Sequence, residues 1–96
     1  MNIIENHNKE IINLCQKHKV KSLYAFGSVL TAQFNHDSDV DLIVDFDVLD
    51  YGDNYYELKF SLEDIFKRHI DLLEQKAIKN PYFLNTLNQS KKMIYG

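Results

Sequence analysis

The chain has 96 residues, of which 11 are basic and 14 acidic, so its net charge is −3, and 45% of its residues are hydrophobic. These values are typical of one globular domain over residues 1–96 with a modest hydrophobic core. No apolar run approaches the roughly 20 residues that a membrane span requires, and the N-terminus lacks a signal peptide, so we expect a cytoplasmic protein with no membrane partner.

The acidic side chains are concentrated in the middle of the chain. Between positions 35 and 64 there are ten acidic residues and one basic residue, Lys59. An acidic surface repels a phosphate backbone, so we expect bound cations and no direct nucleic-acid partner. The segment 75–96 carries four lysines and no acid, which indicates either a solvated edge or a contact for an anionic ligand or partner. The single cysteine, Cys15, excludes an internal disulfide and is read as a small buried apolar residue.

The first half of the chain alternates between helical and extended patterns. Apolar residues at helical spacing predict an amphipathic helix over residues 3 to about 18. The β-favouring run 19–26 predicts a strand that ends at Gly27, and a short helical turn should follow through Ala32. The polar stretch 33–38 contains the turn-forming residues Asn35, Asp37 and Ser38.

The second half repeats this alternation. The patterns predict a strand at 40–46, a loop at 49–54, a helix at 55–68, a strand at 69–74, a helix starting at Asn80-Pro81 and a last extended segment at 91–95. The last helix should have an apolar side formed by Tyr82, Phe83, Leu84 and Leu87. The order α-β-α-β-α-β-α predicts an α/β or α+β fold, in which a small mixed β-sheet is flanked by helices.

The strand at 40–46 places two aspartates on one face. Side chains alternate along a strand, so Asp39 and Asp41 share a face, with Cα atoms roughly 7 Å apart, while the opposite face packs on the core. Hard cations such as Mg²⁺ bind carboxylate and phosphate oxygens together, and two ions can clamp both sides of a phosphoryl displacement. Asp71 on the next strand is the best candidate for a third carboxylate. Asp45 and Asp47 are weaker rivals.

A phosphate-binding turn precedes the aspartates. Gly27 has no side chain to obstruct a close approach of the backbone to an anion, and Ser28 adds a hydroxyl donor. The following helical turn offers free N–H groups to a phosphate. The sequence therefore predicts a phosphate cradle opposite a metal site, and the transfer of a nucleotidyl group from a triphosphate needs both.

Gly27-Ser28, ten further residues and then Asp39-x-Asp41 resemble the signature of the DNA polymerase β-like nucleotidyltransferase superfamily. The compact length is similar to that of the minimal nucleotidyltransferases, including those that act as antitoxins. The resemblance covers roughly residues 20–75 and implies a mixed sheet with flanking helices and Mg²⁺-dependent transfer of a nucleoside monophosphate from ATP. It also implies that Asp39, Asp41 and Asp71 bind the metal ions.

The same resemblance assigns further roles. Gly27 and Ser28 match the triphosphate-binding turn. In such systems a neighbouring HEPN-domain ribonuclease is commonly the toxin. The small protein neutralises this toxin by attaching AMP to a tyrosine, in addition to binding it. The resemblance therefore implies a hetero-oligomer of the two proteins. One departure concerns the arginine that relatives often carry shortly after Gly-Ser, where this chain has Val29-Leu30-Thr31-Ala32-Gln33. His36 is a weak substitute for it.

Three functions stay open from the sequence. The first is a protein adenylyltransferase, in which Asp71 also accepts the proton of the attacking hydroxyl. The second is a non-catalytic antitoxin that acts by stoichiometric binding, with Tyr51, Tyr55 and Tyr56 as contacts if they are exposed. The third is nucleotidyl transfer to a small molecule with the help of a partner subunit. The bland alternative for Asp71 itself is a strand-end aspartate that pairs with Arg68 or Lys67.

Overall fold

The computed structural model describes residues 2–31, 34–35, 37–47 and 53–96, with the side chains of all of these except Asn2 and Ser28. Its α-helices are α1 (Asn2–Asn6), α2 (Asn8–Lys17), α3 (Asn54–Phe66) and α4 (Pro81–Ser90). Its strands are β1 (Val20–Phe26), β2 (Val40–Phe46), β3 (Ile70–Glu74) and β4 (Lys92–Tyr95). Two 3-10 helices occupy Gly27–Leu30 and Gln75–Ala77. The predicted strands and the bounds of β2 are confirmed, and the loop predicted at 49–54 lies mostly outside the described residues.

The four strands form one mixed sheet in the order β3-β2-β1-β4. β1 runs antiparallel to both β2 and β4, whereas β2 and β3 are parallel. The parallel pair is possible because α3 carries the chain back across the sheet between β2 and β3. The predicted mixed sheet with flanking helices, and the pairing of the third strand beside the second, are confirmed.

One face of the sheet packs against α2 and α3. The core cluster contains alternate residues of the strands together with the apolar sides of both helices, including Leu23, Leu42, Ile70, Ile11 and Leu62. Cys15 belongs to this core, and burial raises the pKa of its thiol to about 12, so its assignment as a small apolar residue is confirmed. The helices thus cover one face and leave the aspartates of β2 on the other.

The opposite face has its own buried residues. Ile43 of β2 is buried outside the main core, as is Leu87 of α4. Lys91, which follows α4, lies with its ammonium 4.1 Å from the centre of the Tyr24 ring, and Tyr24 is the cross-strand neighbour of Ile43. The end of α4 therefore reaches the face that carries the aspartates.

Two sequence predictions were wrong in detail. The single helix expected over residues 3–18 is broken at His7 into α1 and α2, because the run Asn6-His7-Asn8 has low helix propensity. The apolar side expected for α4 holds at Leu87, whereas Tyr82 is 84% exposed and Phe83 is also exposed. None of the described helices is long and apolar enough to cross a membrane.

Candidate active site

Asp41 lies at the centre of the site because strand pairing gives it neighbours on both sides. In the antiparallel register of β1 and β2, Asp41 is opposite Phe26, the residue before Gly27. In the parallel register of β2 and β3, Asp41 is opposite Asp71. The sheet therefore brings the Gly27 turn, Asp41 and Asp71 into one row across three strands, although they are far apart in sequence.

Gly27 sits where no other residue fits without a local change. Its φ of +74° lies in the left-handed region, which side chains disfavour. A Cβ atom at this position would lie 2.6 Å from Oδ2 of Asp41, inside van der Waals contact. The turn after β1 thus brings bare backbone directly against the carboxylate of Asp41, and the 3-10 helix Gly27–Leu30 starts at that point.

Asp41 and Asp71 lie opposite each other on the parallel strands β2 and β3, and their carboxyl groups are close enough to interact. Burial raises the pKa of Asp41 above its usual value, and the negative charges of Asp71 and Asp39 raise it further, while His69 acts in the opposite direction. Two carboxyl groups held this close repel each other when both are ionised, and a divalent cation between them removes that repulsion. The oxygen-rich, negatively charged pair therefore has the chemistry of a Mg²⁺ ligand set.

Asp39 is close to this pair but directed elsewhere. Its carboxylate is 60% exposed, and Oδ2 lies 3.4 Å from Nδ1 of His69, the residue before β3. Within the described ranges, no three His, Cys, Asp or Glu side chains are gathered as metal ligands in this conformation. The structure thus places Asp41 and Asp71 together, with Asp39 nearby and paired with His69, and the metal-binding roles of all three stay predictions.

The rival carboxylates have other surroundings. Asp45 is half-buried, and its Oδ1 lies 3.4 Å from the ammonium of Lys76, which also donates to the carbonyl of Phe46. Asp47 follows the far end of β2, where its N–H donates to the carbonyl of Lys19. Neither residue adjoins the Gly27 turn, so both are weaker candidates than Asp71 for the third carboxylate.

Lys67 and Arg68, the two bases proposed as ion-pair partners of Asp71, contact other groups in the structure. Lys67 pairs with Asp64 at 3.2 Å, and Arg68 donates to backbone carbonyl groups of the segment before β2. Asp71 is exposed and faces Asp41. This arrangement favours the functional reading of Asp71 over that of a strand-end aspartate in a surface ion pair.

Several other predicted positions have mixed outcomes. The Ser28 side chain, His36 and Tyr51 lie outside the described part of the structure, so their roles stay predictions. Tyr55 is half-buried and its hydroxyl donates to the carbonyl of Leu72, so it contributes to the fold. Tyr56 is 58% exposed, as is Phe60 one helical turn later, and their ring centres are 6.4 Å apart. Tyr56 therefore meets the stated condition for a partner contact.

Sequence reasoning missed His69. No periodic pattern marks it, because it lies in the short connection between α3 and β3 and meets Asp39 only through the parallel pairing of β2 and β3. Its position two residues before Asp71 was the one available signal.

Residues 9–96 match the model of a family described as polymerase beta, nucleotidyltransferase. A candidate protein adenylyltransferase of Methanocaldococcus jannaschii is 36% identical over 95 residues, an alignment that covers 97% of this chain and 90% of that protein. The protein adenylyltransferase MntA of Thermococcus cleftensis is 31% identical over 78 residues, which is 81% of this chain and 76% of that protein.

Solved structures of similar fold include a candidate minimal nucleotidyltransferase, with a TM-score of 0.79, 23% identity and coverage of 92% of this chain and 89% of that chain. A toxin–antitoxin structure with AMP-PNP has a TM-score of 0.74 and 24% identity, and covers 93% and 73% of the two chains. A structure of a tri-AMPylated Shewanella oneidensis HEPN toxin in complex with an MNT antitoxin has a TM-score of 0.70 and 23% identity, and covers 97% and 72%. At these identities the likeness establishes the fold.

Proposed function

Because the chain belongs to the polymerase β nucleotidyltransferase family, we propose that it transfers AMP from ATP to a tyrosine of a HEPN ribonuclease toxin and so acts as the antitoxin. The observation that carries this proposal is the position of Asp41 between the Gly27 turn and Asp71. A bare backbone turn suits a triphosphate, and adjacent carboxylates suit the Mg²⁺ that accompanies it.

The names of the relatives support the same activity. The relatives from Methanocaldococcus and Thermococcus carry the name protein adenylyltransferase. The structures of similar fold include a complex of an MNT antitoxin with an AMPylated HEPN toxin, and a toxin–antitoxin with an ATP analogue. ATP as donor and a HEPN toxin as partner are therefore the substrates that we assign to this chain, in a hetero-oligomer without nucleic acid or membrane. The cytoplasmic location and the single domain over residues 1–96 stay predictions.

Each residue of the site then has a role. Gly27 and Ser28 hold the triphosphate, and Asp39, Asp41 and Asp71 would hold two Mg²⁺ ions. When bound there, Mg²⁺ supplies charge neutralisation of the phosphates and lowers the pKa of the attacking hydroxyl. Asp39 must rotate from His69 toward Asp41 to join the ligand set, and its high exposure leaves room for that rotation.

The transfer itself is a substitution at the α-phosphorus of ATP. The tyrosine oxygen forms the new P–O bond, and the bond from the α-phosphorus to the oxygen bridging to the β-phosphorus breaks. Pyrophosphate leaves with that oxygen, and the hydroxyl proton passes to Asp71. Asp71 suits this role because it is exposed at an edge strand, where a second protein can approach.

The proposal is tested by incubation of the protein with α-labelled ATP, Mg²⁺ and the toxin, and by comparison of wild type with the double variant Asp39→Ala/Asp41→Ala. We expect labelled toxin, with the label on tyrosine, for wild type and none for the variant. Equal labelling by both proteins would rule out catalysis by this site.

A second assay separates catalysis from binding alone. The double variant is co-expressed with the toxin, and cell growth is measured. Loss of neutralisation supports modification as the mechanism, whereas full neutralisation by the variant would favour the non-catalytic antitoxin. A transferase for small molecules would label an added low-molecular-weight acceptor in preference to the toxin.

A further inference from the structure

Arg68, the only arginine of the chain, forms hydrogen bonds with the segment that leads into Asp39. Its Nη1 donates to the carbonyl of Asn35 at 3.0 Å and to the carbonyl of Ser38 at 2.9 Å. Its guanidinium also lies over the ring of Phe34, 4.7 Å from the ring centre. One side chain from the connection between α3 and β3 thus contacts three residues of the segment before β2.

The chemistry of these contacts is specific to arginine. A planar guanidinium can donate to two carbonyl oxygens and stack on an aromatic ring at the same time, whereas a lysine ammonium is a compact, strongly hydrated charge. Arg68 is half-buried, and its Nε is buried without a hydrogen-bond partner among the described residues. The contacts with Phe34, Asn35 and Ser38 therefore hold the Arg68 side chain in place and keep it partly out of solvent.

His69, the residue after Arg68, contacts both Asp39 and Val40. The carbonyl of His69 accepts from the N–H of Val40 at 3.2 Å, and its Nδ1 lies 3.4 Å from Oδ2 of Asp39. Asp71 follows two residues later. The short run 68–71 therefore holds the backbone on both sides of Asp39 while it presents the third carboxylate.

The segment before β2 also has contacts of its own, since Phe34 packs against the hydrophobic core and its N–H donates to the carbonyl of Thr31 at 3.3 Å. Asn35 and Ser38 are joined by a local turn, in which the N–H of Ser38 donates to the carbonyl of Asn35 and the N–H of Asn35 donates to the hydroxyl of Ser38. The N–H of Asp37 donates to the Asn35 side chain at 2.8 Å. These bonds lie within the turn. The contacts of Arg68 join the turn to the connection that leads into β3.

We infer that Arg68 is a positioning residue, which fixes the segment before Asp39 so that this carboxylate can join Asp41 and Asp71 around a divalent cation. The inference rests on the proposed function for the identity of the ligand. The geometric part, that Arg68 immobilises the backbone next to Asp39, can be measured without any ligand.

The test compares four proteins: wild type, Arg68→Ala, Arg68→Lys and the control Lys67→Ala. Lys67 is the adjacent residue, its side chain is 77% exposed, and in the part of the chain that the structure describes it forms an ion pair with the exposed Asp64. Isothermal calorimetry measures Mn²⁺ binding in the presence of an unhydrolysable ATP analogue. Amide hydrogen exchange of residues 37–41 is measured on the metal-free proteins, with circular dichroism to verify folding.

We expect Arg68→Ala to bind Mn²⁺ about 10- to 100-fold more weakly, the usual effect of removing an outer support of a metal ligand. Exchange of residues 37–41 should become faster, with Arg68→Lys intermediate and Lys67→Ala equal to wild type. If Arg68→Ala does not fold, the comparison of Arg68→Lys with Lys67→Ala decides. Wild-type affinity and exchange in the arginine variants would overturn the inference. Failure of wild type to bind Mn²⁺ would instead contradict the proposed function, and the exchange data would still test Arg68.

Discussion

Replacement of Gly27 by alanine should inactivate the enzyme while leaving it folded. The new Cβ would lie 2.6 Å from Oδ2 of Asp41, whereas ordinary contact begins at 3.4 Å, so one of the two atoms must move by about 0.8 Å. The Asp41 carboxylate is the end of a side chain and moves more easily than the backbone. The stability cost then comes mainly from the positive φ at position 27, roughly 1–2 kcal/mol.

The cost to activity should be much larger than the cost to stability. A displacement of about 1 Å at a reacting centre can reduce the rate roughly 100-fold. The displaced group would be the central carboxylate of the proposed metal site, so we expect a decrease of that order in the initial rate of AMP transfer. The assay is the transfer of label from ATP to the toxin, with the unfolding free energy measured in parallel by urea titration.

Gly96→Ala is the matched control. Gly96 also has a positive φ, but it follows β4 beside Ser22 and Met93, toward the opposite end of β1 from Gly27. We expect wild-type transfer rates for this variant. A Gly27→Ala protein that is folded and transfers AMP within about threefold of the wild-type rate would refute the proposed closeness of the turn to a working carboxylate.

Three further predictions concern stability. Asp41→Asn should stabilise the metal-free protein at pH 7 by about 0.5–1 kcal/mol, because it removes a partly buried charge next to Asp71 and Asp39, whose repulsion solvent screens in part. Since the pKa of Asp41 is raised in the folded protein, protonated Asp41 favours the native state fully below the unfolded pKa, and this stabilisation is lost as the pH rises through the folded pKa. Urea titrations should therefore show that Asp41→Asn raises the unfolding free energy less near pH 4 than at pH 7. An equal or larger increase near pH 4 would contradict the pKa shift. Lys67→Gly should stabilise by about 1 kcal/mol, because Lys67 ends α3 with a φ of +56°, and a thermal melt with no increase would argue against that strain. Asn80→Ala should cost about 0.5–2 kcal/mol in the same melt, because the Asn80 side chain caps α4 by accepting from Tyr82 and Phe83, and an unchanged melting temperature would exclude the cap.

The sequence was most informative where chemistry coincides with strand periodicity. In β2 the apolar residues Val40, Leu42, Val44 and Phe46 alternate with Asp41, Ile43 and Asp45, and this period of two indicates both the strand and its faces. The pairing of Asp71 with Asp41 followed from the expectation of neighbouring strands. The local turn of Asn35 and Ser38 could also be predicted, because a turn depends on residues that are close together in the sequence.

The contacts that hold the site residues in place could not be predicted from sequence patterns. Arg68 contacts Asn35 and Ser38, which are 33 and 30 positions away, through backbone carbonyl groups that carry no sequence information. The contact of His69 with Asp39 depends on the register of two parallel strands. Likewise, the closeness of Gly27 to Asp41 depends on the antiparallel register of β1 and β2. Such contacts appear only after the sheet is assembled.

The most direct test of the account is the initial rate of AMP transfer to the toxin by Asp71→Asn compared with Asp45→Asn. The two substitutions are chemically identical, but Asp71 adjoins Asp41 across the parallel strands, whereas Asp45 lies beside Lys76. We predict a loss of about 10²- to 10⁴-fold for Asp71→Asn, the usual contribution of a positioned base, and a rate near wild type for Asp45→Asn. An active Asp71→Asn protein, or an equal loss in both variants, would contradict the site proposed for this chain.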